Sequence, residues 1–168
     1  MSILCQKIIP AEFSFVIHTK NPITNNSNEL FSEIVVGMGE TLVGAYEGQS
    51  FSFIYYKNEK KFEIKSYPNK SFSLKNSGFI FRSDSNIEDL ENFSGAGLFD
   101  SVCFIDDKIE NIFYCENLLF NDKNFINEMI EKISLLGIGV EKLCECEQDI
   151  EGVYFNKEFY IVQTRPQV

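Results

Sequence analysis

Residues 122–144 constrain the fold more than any other stretch. Phe125, Met129, Ile133, Leu136 and Val140 recur three and four residues apart, with Ile126 and Ile130 beside them. Glu128, Glu131, Lys132 and Glu141 take the other side. This is an amphipathic helix with a core-facing stripe and Asp122 as its N-cap. Gly137 and Gly139 are the places where a shortening or a kink is expected. The rest of the chain is a succession of short β-capable runs, so the fold must bury one helical stripe against strands.

Those runs fall at residues 3–9 and 13–18 around Pro10, at 29–36, at 50–56 and 61–67, at 78–81, at 98–105, and in a hairpin over 150–163 that closes near Asn156-Lys157. Lys57-Asn58-Glu59-Lys60 separates two of them as a hairpin turn. Residues 19–28 (TKNPITNNSN) form a polar loop with turn residues. Residues 42–46 begin either a helix or a strand. Neither an internal repeat nor a linker is visible, and 168 residues fit one domain of ordinary size. The expected class is α/β in the broad α+β sense, with a mixed, mostly antiparallel sheet and few helices.

Charge narrows the partners. The formal net charge is −10, which disfavours nucleic acid and anionic lipid. A bound phosphate must then be held by a few placed cations and backbone N–H groups. No apolar run approaches the ~20 residues of a membrane span. The five cysteines (Cys5, Cys103, Cys115, Cys144, Cys146) are odd in number and irregular in spacing. They read as reduced thiols, and a cytoplasmic setting is expected.

Three clusters carry candidate chemistry. In QDIEGVYFNKEFYIVQTRPQV, Asp149, Glu151, Gln163 and Arg165 sit at the open end of the hairpin. A carboxylate and an amide oxygen can share Mg²⁺ with phosphates, and an arginine can clamp a phosphate in a fork. Side chains alternate along a strand, so a plain two-residue turn puts Glu151 and Gln163 on opposite faces. A three-residue turn or an equivalent bulge puts Glu151 opposite Gln163 and Asp149 opposite Arg165 on one face. The competing reading is a surface salt bridge at a hairpin end.

The second cluster, FRSDSNIEDLENFSGAGLFDSV, joins Arg82 to hydroxyls, carboxylates and the Gly95–Gly97 turn. It reads either as a phosphate-contacting segment or as a polar loop. In the third, SEIVVGMGETLVGAY, Glu33 and Glu40 flank Gly37-x-Gly39. Close approach of backbone to a ligand accounts for such glycines, but a lone GxG is weak. His18, the single histidine, lies in FVIHT and reads as a core or strand-end residue rather than as a phosphoryl carrier.

Taken in order, HTKNP, GMGETLVGAY, FRSDSNIEDLENFSGAGLFDSV and QDIEGVYFNKEFYIVQTRPQV resemble the C-terminal part of the nucleotide-binding domain of α-glucan, water dikinases. The resemblance spans about residues 3–168. It extends more distantly to pyruvate, phosphate dikinase and phosphoenolpyruvate synthase, although Arg82 following GMGE matches the glucan enzymes better. Met38 stands where leucine is usual.

The resemblance implies an ATP-grasp-like fold over residues 1–168, with phosphohistidine and starch-binding domains absent from this stretch. It implies ATP and Mg²⁺ as cofactors, with Glu151 and Gln163 as metal ligands. Arg165 falls on the terminal phosphates with Asp149 as its acidic neighbour, Arg82 is a second phosphate-binding arginine, and Glu33 and Glu40 line the nucleotide pocket. The implied reaction is that of an ATP-dependent dikinase. ATP, a starch-like α-glucan and water give phosphoglucan, AMP and phosphate, by way of a phosphohistidine in the remainder of the polypeptide. The alternatives are a non-enzymatic or regulatory subunit built on the same fold, and a pyruvate-type dikinase.

Overall fold

Alternating burial along two neighbouring strands sets the architecture. In the computed structural model, β2 (Phe13–His18) buries Phe13, Phe15 and Ile17, and β3 (Glu29–Val36) buries Leu30 and Ile34. All five belong to one core cluster together with Ile126, Met129, Ile130 and Ile133 of the long helix. The structure describes residues 2–43, 47–70, 72–75, 79–84, 89–90, 93–94, 101–104, 108–113 and 116–167. Side chains are described for 5–42, 47–70, 110–113 and 116–167.

The remaining strands are β1 (Ser2–Lys7), β4 (Phe51–Tyr56), β5 (Lys61–Ser66), β6 (Phe72–Lys75), β7 (Phe79–Asp84), β8 (Asp89–Leu90), β9 (Phe93–Ser94), β10 (Ser101–Phe104), β11 (Lys108–Asn111), β12 (Gln148–Phe155) and β13 (Glu158–Pro166). The helices are α1 (Glu40–Val43), α2 (Leu118–Asn121) and α3 (Lys123–Cys144). A six-stranded sheet runs β13-β12-β2-β3-β4-β5, antiparallel throughout. A three-stranded sheet, β1-β7-β10, is also antiparallel, and β11 pairs β6. The expected α+β class with a mostly antiparallel sheet is therefore what the chain forms.

α3 begins where expected: Asp122 accepts from the N–H groups of Asn124 and Phe125 at 2.9 and 3.1 Å. The glycines do not break it, and it runs unbroken to Cys144. Gly137 instead lets the helix lie close on the sheet. A Cβ there would stand 2.8 Å from Leu30 Cδ1 and 2.9 Å from Ile17 Cγ2, so packing outweighs the poor helix propensity of glycine. A second tie is Lys57, whose Nζ donates to both Glu141 oxygens at 2.8 and 2.7 Å and fixes the β4–β5 turn to the helix.

α3 thus covers one face of the sheet. The opposite face carries the residues that alternate with the core set: Ser14, Val16 and His18 on β2, Phe31, Glu33 and Val35 on β3, and Asp149, Glu151 and Val153 on β12. A smaller apolar cluster of Ile8, Ala11, Met38 and Val153, joined by Tyr160 and Val162, closes one end of this second face.

Candidate functional site

The β12–β13 hairpin turns through Asn156 and Lys157, both at positive φ (51° and 64°), with Phe155 opposite Glu158. Two left-handed central residues define the tight hairpin turn that matches strand twist. Regular pairing onward from this turn would set Glu151 opposite Val162. A register shift between Glu151 and Gly152 absorbs one extra β13 residue, so Glu151 faces Gln163 and Asp149 faces Arg165. A two-residue turn combined with a bulge is the arrangement that the one-face geometry requires.

The consequence is a row across three strands. Arg165 Nε and Nη2 donate to Asp149 Oδ2 at 3.0 and 2.8 Å. Asp149 lies opposite His18 on β2, whose Nδ1 stands 3.6 Å from Asp149 Oδ1. The pair is more than a surface contact: the side chains of Asp149 and Arg165 are 15% and 24% exposed. One step along the sheet runs a second row, Gln163, Glu151, Val16, Glu33, Ser52. Glu33 therefore shares the face with Glu151 but stands two strands away, about 10 Å at normal strand spacing. Its carboxylate accepts a very short bond from Ser50 Oγ.

Glu40 opens α1, directly after the Gly37–Gly39 turn. Gly37 takes φ +79°, and Ser14 Oγ donates to its carbonyl at 2.6 Å. Gly39 lies over Ser14, with room for a Cβ at 3.7 Å from the Ser14 Cβ. These contacts hold the turn that leads into α1 beside Ser14 of β2. Gly37 thus serves a turn that needs positive φ, while Gly39 has room for a side chain.

The far end of the row is fastened to the 19–28 loop. Thr19 N–H donates to the Gln148 carbonyl at 2.9 Å, and Gln148 N–H donates to Thr19 Oγ1 at 2.7 Å. The Gln167 amide brackets Lys20, accepting from its N–H at 3.0 Å and donating to its carbonyl at 2.7 Å. Ser27 Oγ donates to the Glu147 carboxylate at 2.9 Å, and this bond lowers the Glu147 pKa. Within the loop, Thr24, Asn21 and Asn26 all donate to Glu29. Led by Thr24, they hold its carboxyl below the ordinary range. The wall beside Arg165 is therefore a hydrogen-bonded frame.

Arg82 stands apart from these residues. It lies in β7, opposite Leu4 and Ser101, in the three-stranded sheet, and its side chain lies outside the described residues, as do Gly95–Gly97. That sheet reaches the hairpin where Gln6 Nε2 donates to the carbonyl of Val162, the bulge residue, at 3.2 Å. The structure therefore brings together Asp149, Glu151, Gln163 and Arg165, adds Glu33 on the same face, sets Glu40 at the start of α1, and places Arg82 on a neighbouring sheet. Sequence reasoning gave no site role to His18, Ser50 or Gln167. For His18 the period-2 pattern of FSFVIH was a usable signal, since it sets the histidine on the face opposite Phe13, Phe15 and Ile17.

Among the described residues, no group of three or more His, Cys, Asp or Glu side chains stands ready to hold a metal ion. Two opposed oxygen donors, Glu151 and Gln163, suit a cation that takes its other ligands from phosphate and water. No described helix is long and apolar enough to cross a membrane.

Arg165 paired with Asp149, and Glu151 opposed to Gln163 one step along, share one face of the sheet. The chain belongs to the family described as pyruvate phosphate dikinase, AMP/ATP-binding domain, whose model matches residues 1–168. It is 45% identical over 170 residues to alpha-glucan water dikinase 1, chloroplastic, of Arabidopsis thaliana, covering 100% of this chain and 12% of that protein. Over 171 residues it is 45% identical to alpha-glucan water dikinase, chloroplastic, of Solanum tuberosum, again with 100% and 12% coverage. A probable phosphoenolpyruvate synthase of Methanocaldococcus jannaschii is 25% identical over 166 residues, covering 99% of this chain and 12% of that protein. The chain thus spans about 12% of the length of the curated relatives that it matches.

Proposed function

We propose that this chain grips the polyphosphate of Mg-ATP as part of the nucleotide-binding domain of an α-glucan, water dikinase. The observation that carries the reading is the bulged hairpin register, which sets Asp149 opposite Arg165 and Glu151 opposite Gln163 on one face. Arg165 presents a planar fork of N–H donors, and its bonds to Asp149 Oδ2 orient that fork. Glu151 and Gln163 are the two oxygen ligands offered to Mg²⁺. Bound there, the cation would neutralise charge on the phosphate oxygens. Phosphoryl transfer depends on such positioning and charge neutralisation. Glu33, Glu40 and Arg82 complete the proposed nucleotide pocket, Arg82 from the adjoining sheet.

The glucan-type reading is preferred to the pyruvate type because identity to the glucan water dikinases is 45%, against 25% for the phosphoenolpyruvate synthase. On this reading the whole polypeptide is an ATP-dependent dikinase. It phosphorylates a starch-like glucan, leaves AMP and phosphate, and supplies its phosphohistidine and glucan contacts from other parts of the chain. Cys5, Cys144 and Cys146 are free thiols, which fits a reducing compartment. The relatives' names point to the chloroplast rather than to the cytoplasm expected from sequence, so a reducing plastid interior is as good a setting as the cytosol.

Titration calorimetry of Mg-ATP against the wild-type chain and Arg165→Ala tests the grip. Truncating one partner of a hydrogen-bonded charge pair costs about 2 kcal/mol or more, roughly 30-fold in affinity. Loss of that size supports the reading. Equal affinity for both proteins removes Arg165 from the site, and no heat from the wild type refutes a phosphate grip in this chain.

A further inference from the structure

His18 is the member of the row that the proposed function leaves unused. It ends β2, faces away from α3, and meets Asp149 on the side that Arg165 does not occupy. Asp149 Oδ2 accepts both Arg165 bonds, while Oδ1 faces His18 Nδ1 at 3.6 Å. The order across adjacent strands is His18, Asp149, Arg165.

We propose that His18 is a positioning residue for the phosphate grip, steadying the Asp149 carboxylate so that the Arg165 fork stays aimed at the terminal phosphates; this rests on the reading of Arg165 given above. Rotation of an aspartate carboxylate about χ2 is soft and broadly two-fold. A turn about that bond carries Oδ2 out of the plane of the guanidinium and breaks the paired geometry. A donor beside Oδ1 resists the turn. At 3.6 Å the contact is longer than a direct hydrogen bond, and it acts as a close polar contact that shortens when a phosphate pulls on Arg165. Catalytic-site hydrogen bonds often tighten in this way on ligand binding.

The imidazole is itself held in place. Its cross-strand neighbour on β3 is Phe31, and the two rings stack with centroids 6.3 Å apart and planes 19° from parallel. Behind it, Gln167 fixes the backbone of Lys20 at both its N–H and its carbonyl. A ring set by a stack on one side and by a braced backbone on the other can transmit rigidity to a carboxylate. An ordinary exposed strand-end histidine needs neither restraint.

The test separates positioning from mere structure. His18→Phe keeps a ring to stack on Phe31 and removes the donor. His18→Asn loses the ring but places an amide N–H near the position of Nδ1. Calorimetry is run with Mg-ATP and with AMP, which lacks the terminal phosphates that Arg165 would hold. His18→Phe is expected to weaken Mg-ATP about tenfold, the low end for removing an orienting partner behind a ligand-binding group, and to leave AMP unchanged. His18→Asn is expected to recover most of the loss. Unchanged Mg-ATP affinity in His18→Phe overturns the proposal. So does an equal loss for both nucleotides with a lowered Tm, which marks a structural role. A wild-type chain that binds AMP no more weakly than Mg-ATP overturns the phosphate-grip reading beneath it, and that outcome is seen before any substitution is compared.

Discussion

Gly152 is where the core and the candidate site meet, and Gly152→Ala is the sharpest perturbation of that junction. A Cβ at this position would lie 2.3 Å from both Cε2 and Cζ of Phe15 and 2.9 Å from the backbone carbonyl oxygen of Tyr160. Phe15 is 1% exposed and packs on Phe159 with ring centroids 6.0 Å apart, so the ring has little room to swing aside. The Tyr160 carbonyl belongs to β13 and moves only if the ladder moves. Overpacking a core costs about 1–3 kcal/mol, and with both neighbours constrained the upper end applies, about 3 kcal/mol. For a chain of this size each kcal/mol lowers Tm by about 2–4 °C, which gives a fall of about 6–12 °C.

Thermal melts followed by circular dichroism measure the effect, with Gly139→Ala as the control. A Cβ on Gly139 meets nothing within 4 Å, and alanine there is expected to stabilise α3 by up to about 1 kcal/mol. The site supplies a second readout. Gly152 adjoins Glu151 at the register shift, so displacing β13 also separates Glu151 from Gln163 and weakens Mg-ATP binding. A Gly152→Ala protein within about 0.5 kcal/mol of wild type, the range of a neutral surface change, would refute the claim that the hairpin is locked against Phe15.

Two further outcomes follow from named contacts. Lys57→Met keeps the apolar stem but leaves Glu141 without its doubly bonded cation. The paired side chains are 15% and 22% exposed, so the cost falls between exposed and buried pairs, about 1–2 kcal/mol. Urea denaturation reads it, and failure of Glu141→Gln to recover part of the loss would show that the charge is not the cause. Glu29 has its pKa lowered from the ordinary 4.5, chiefly by the Thr24 hydrogen bond. A depressed folded-state pKa means that its stabilising contribution is present above about pH 4.5 and is lost as pH falls through the lowered value. Acid titration of Glu29→Gln should therefore show a shallower loss of loop structure below pH 4.5 than wild type. Parallel curves would sink this account of the loop.

Local signals were legible in the sequence. β2 and β3 fall on the β-capable runs expected at 13–18 and 29–36, Asp122 caps the helix it was expected to cap, and the last hairpin turns at Asn156-Lys157. The bulge was stated only as a condition on the hairpin, because the identities of Val162 and Gln163 do not reveal which residue the ladder skips. The opposed Asp149 and Arg165 followed once that condition was met. What stayed hidden was non-local. β12 pairs with β2 across most of the chain, and only that pairing shows that His18 neighbours Asp149. Gly137 was misjudged for a related reason: its consequence depends on Ile17 and Leu30 of two distant strands, not on helix propensity. Asn117, whose side chain caps α2 by accepting from Leu119 N–H at 3.0 Å, was a local signal that passed unread.

The alternation that separates the two faces also makes stability and ligand grip separable, and this can be measured. Ile133 of α3 is fully buried beneath the sheet, while Arg165 lies with Asp149 on the opposite face. Ile133→Ala should cost about 2–5 kcal/mol of stability through lost burial and the cavity left behind. At a temperature where that variant remains folded, its Mg-ATP affinity should match wild type. Arg165→Ala should behave in the converse way, with affinity lost and the core packing untouched. The two substitutions share no contact and lie on opposite faces of the sheet, so their stability effects should add to within about 0.5 kcal/mol. A clear departure from additivity would mean that the sheet transmits strain between its faces. Gly152, where Phe15 on one face presses against the backbone carrying Glu151 on the other, would then be the route by which it does so.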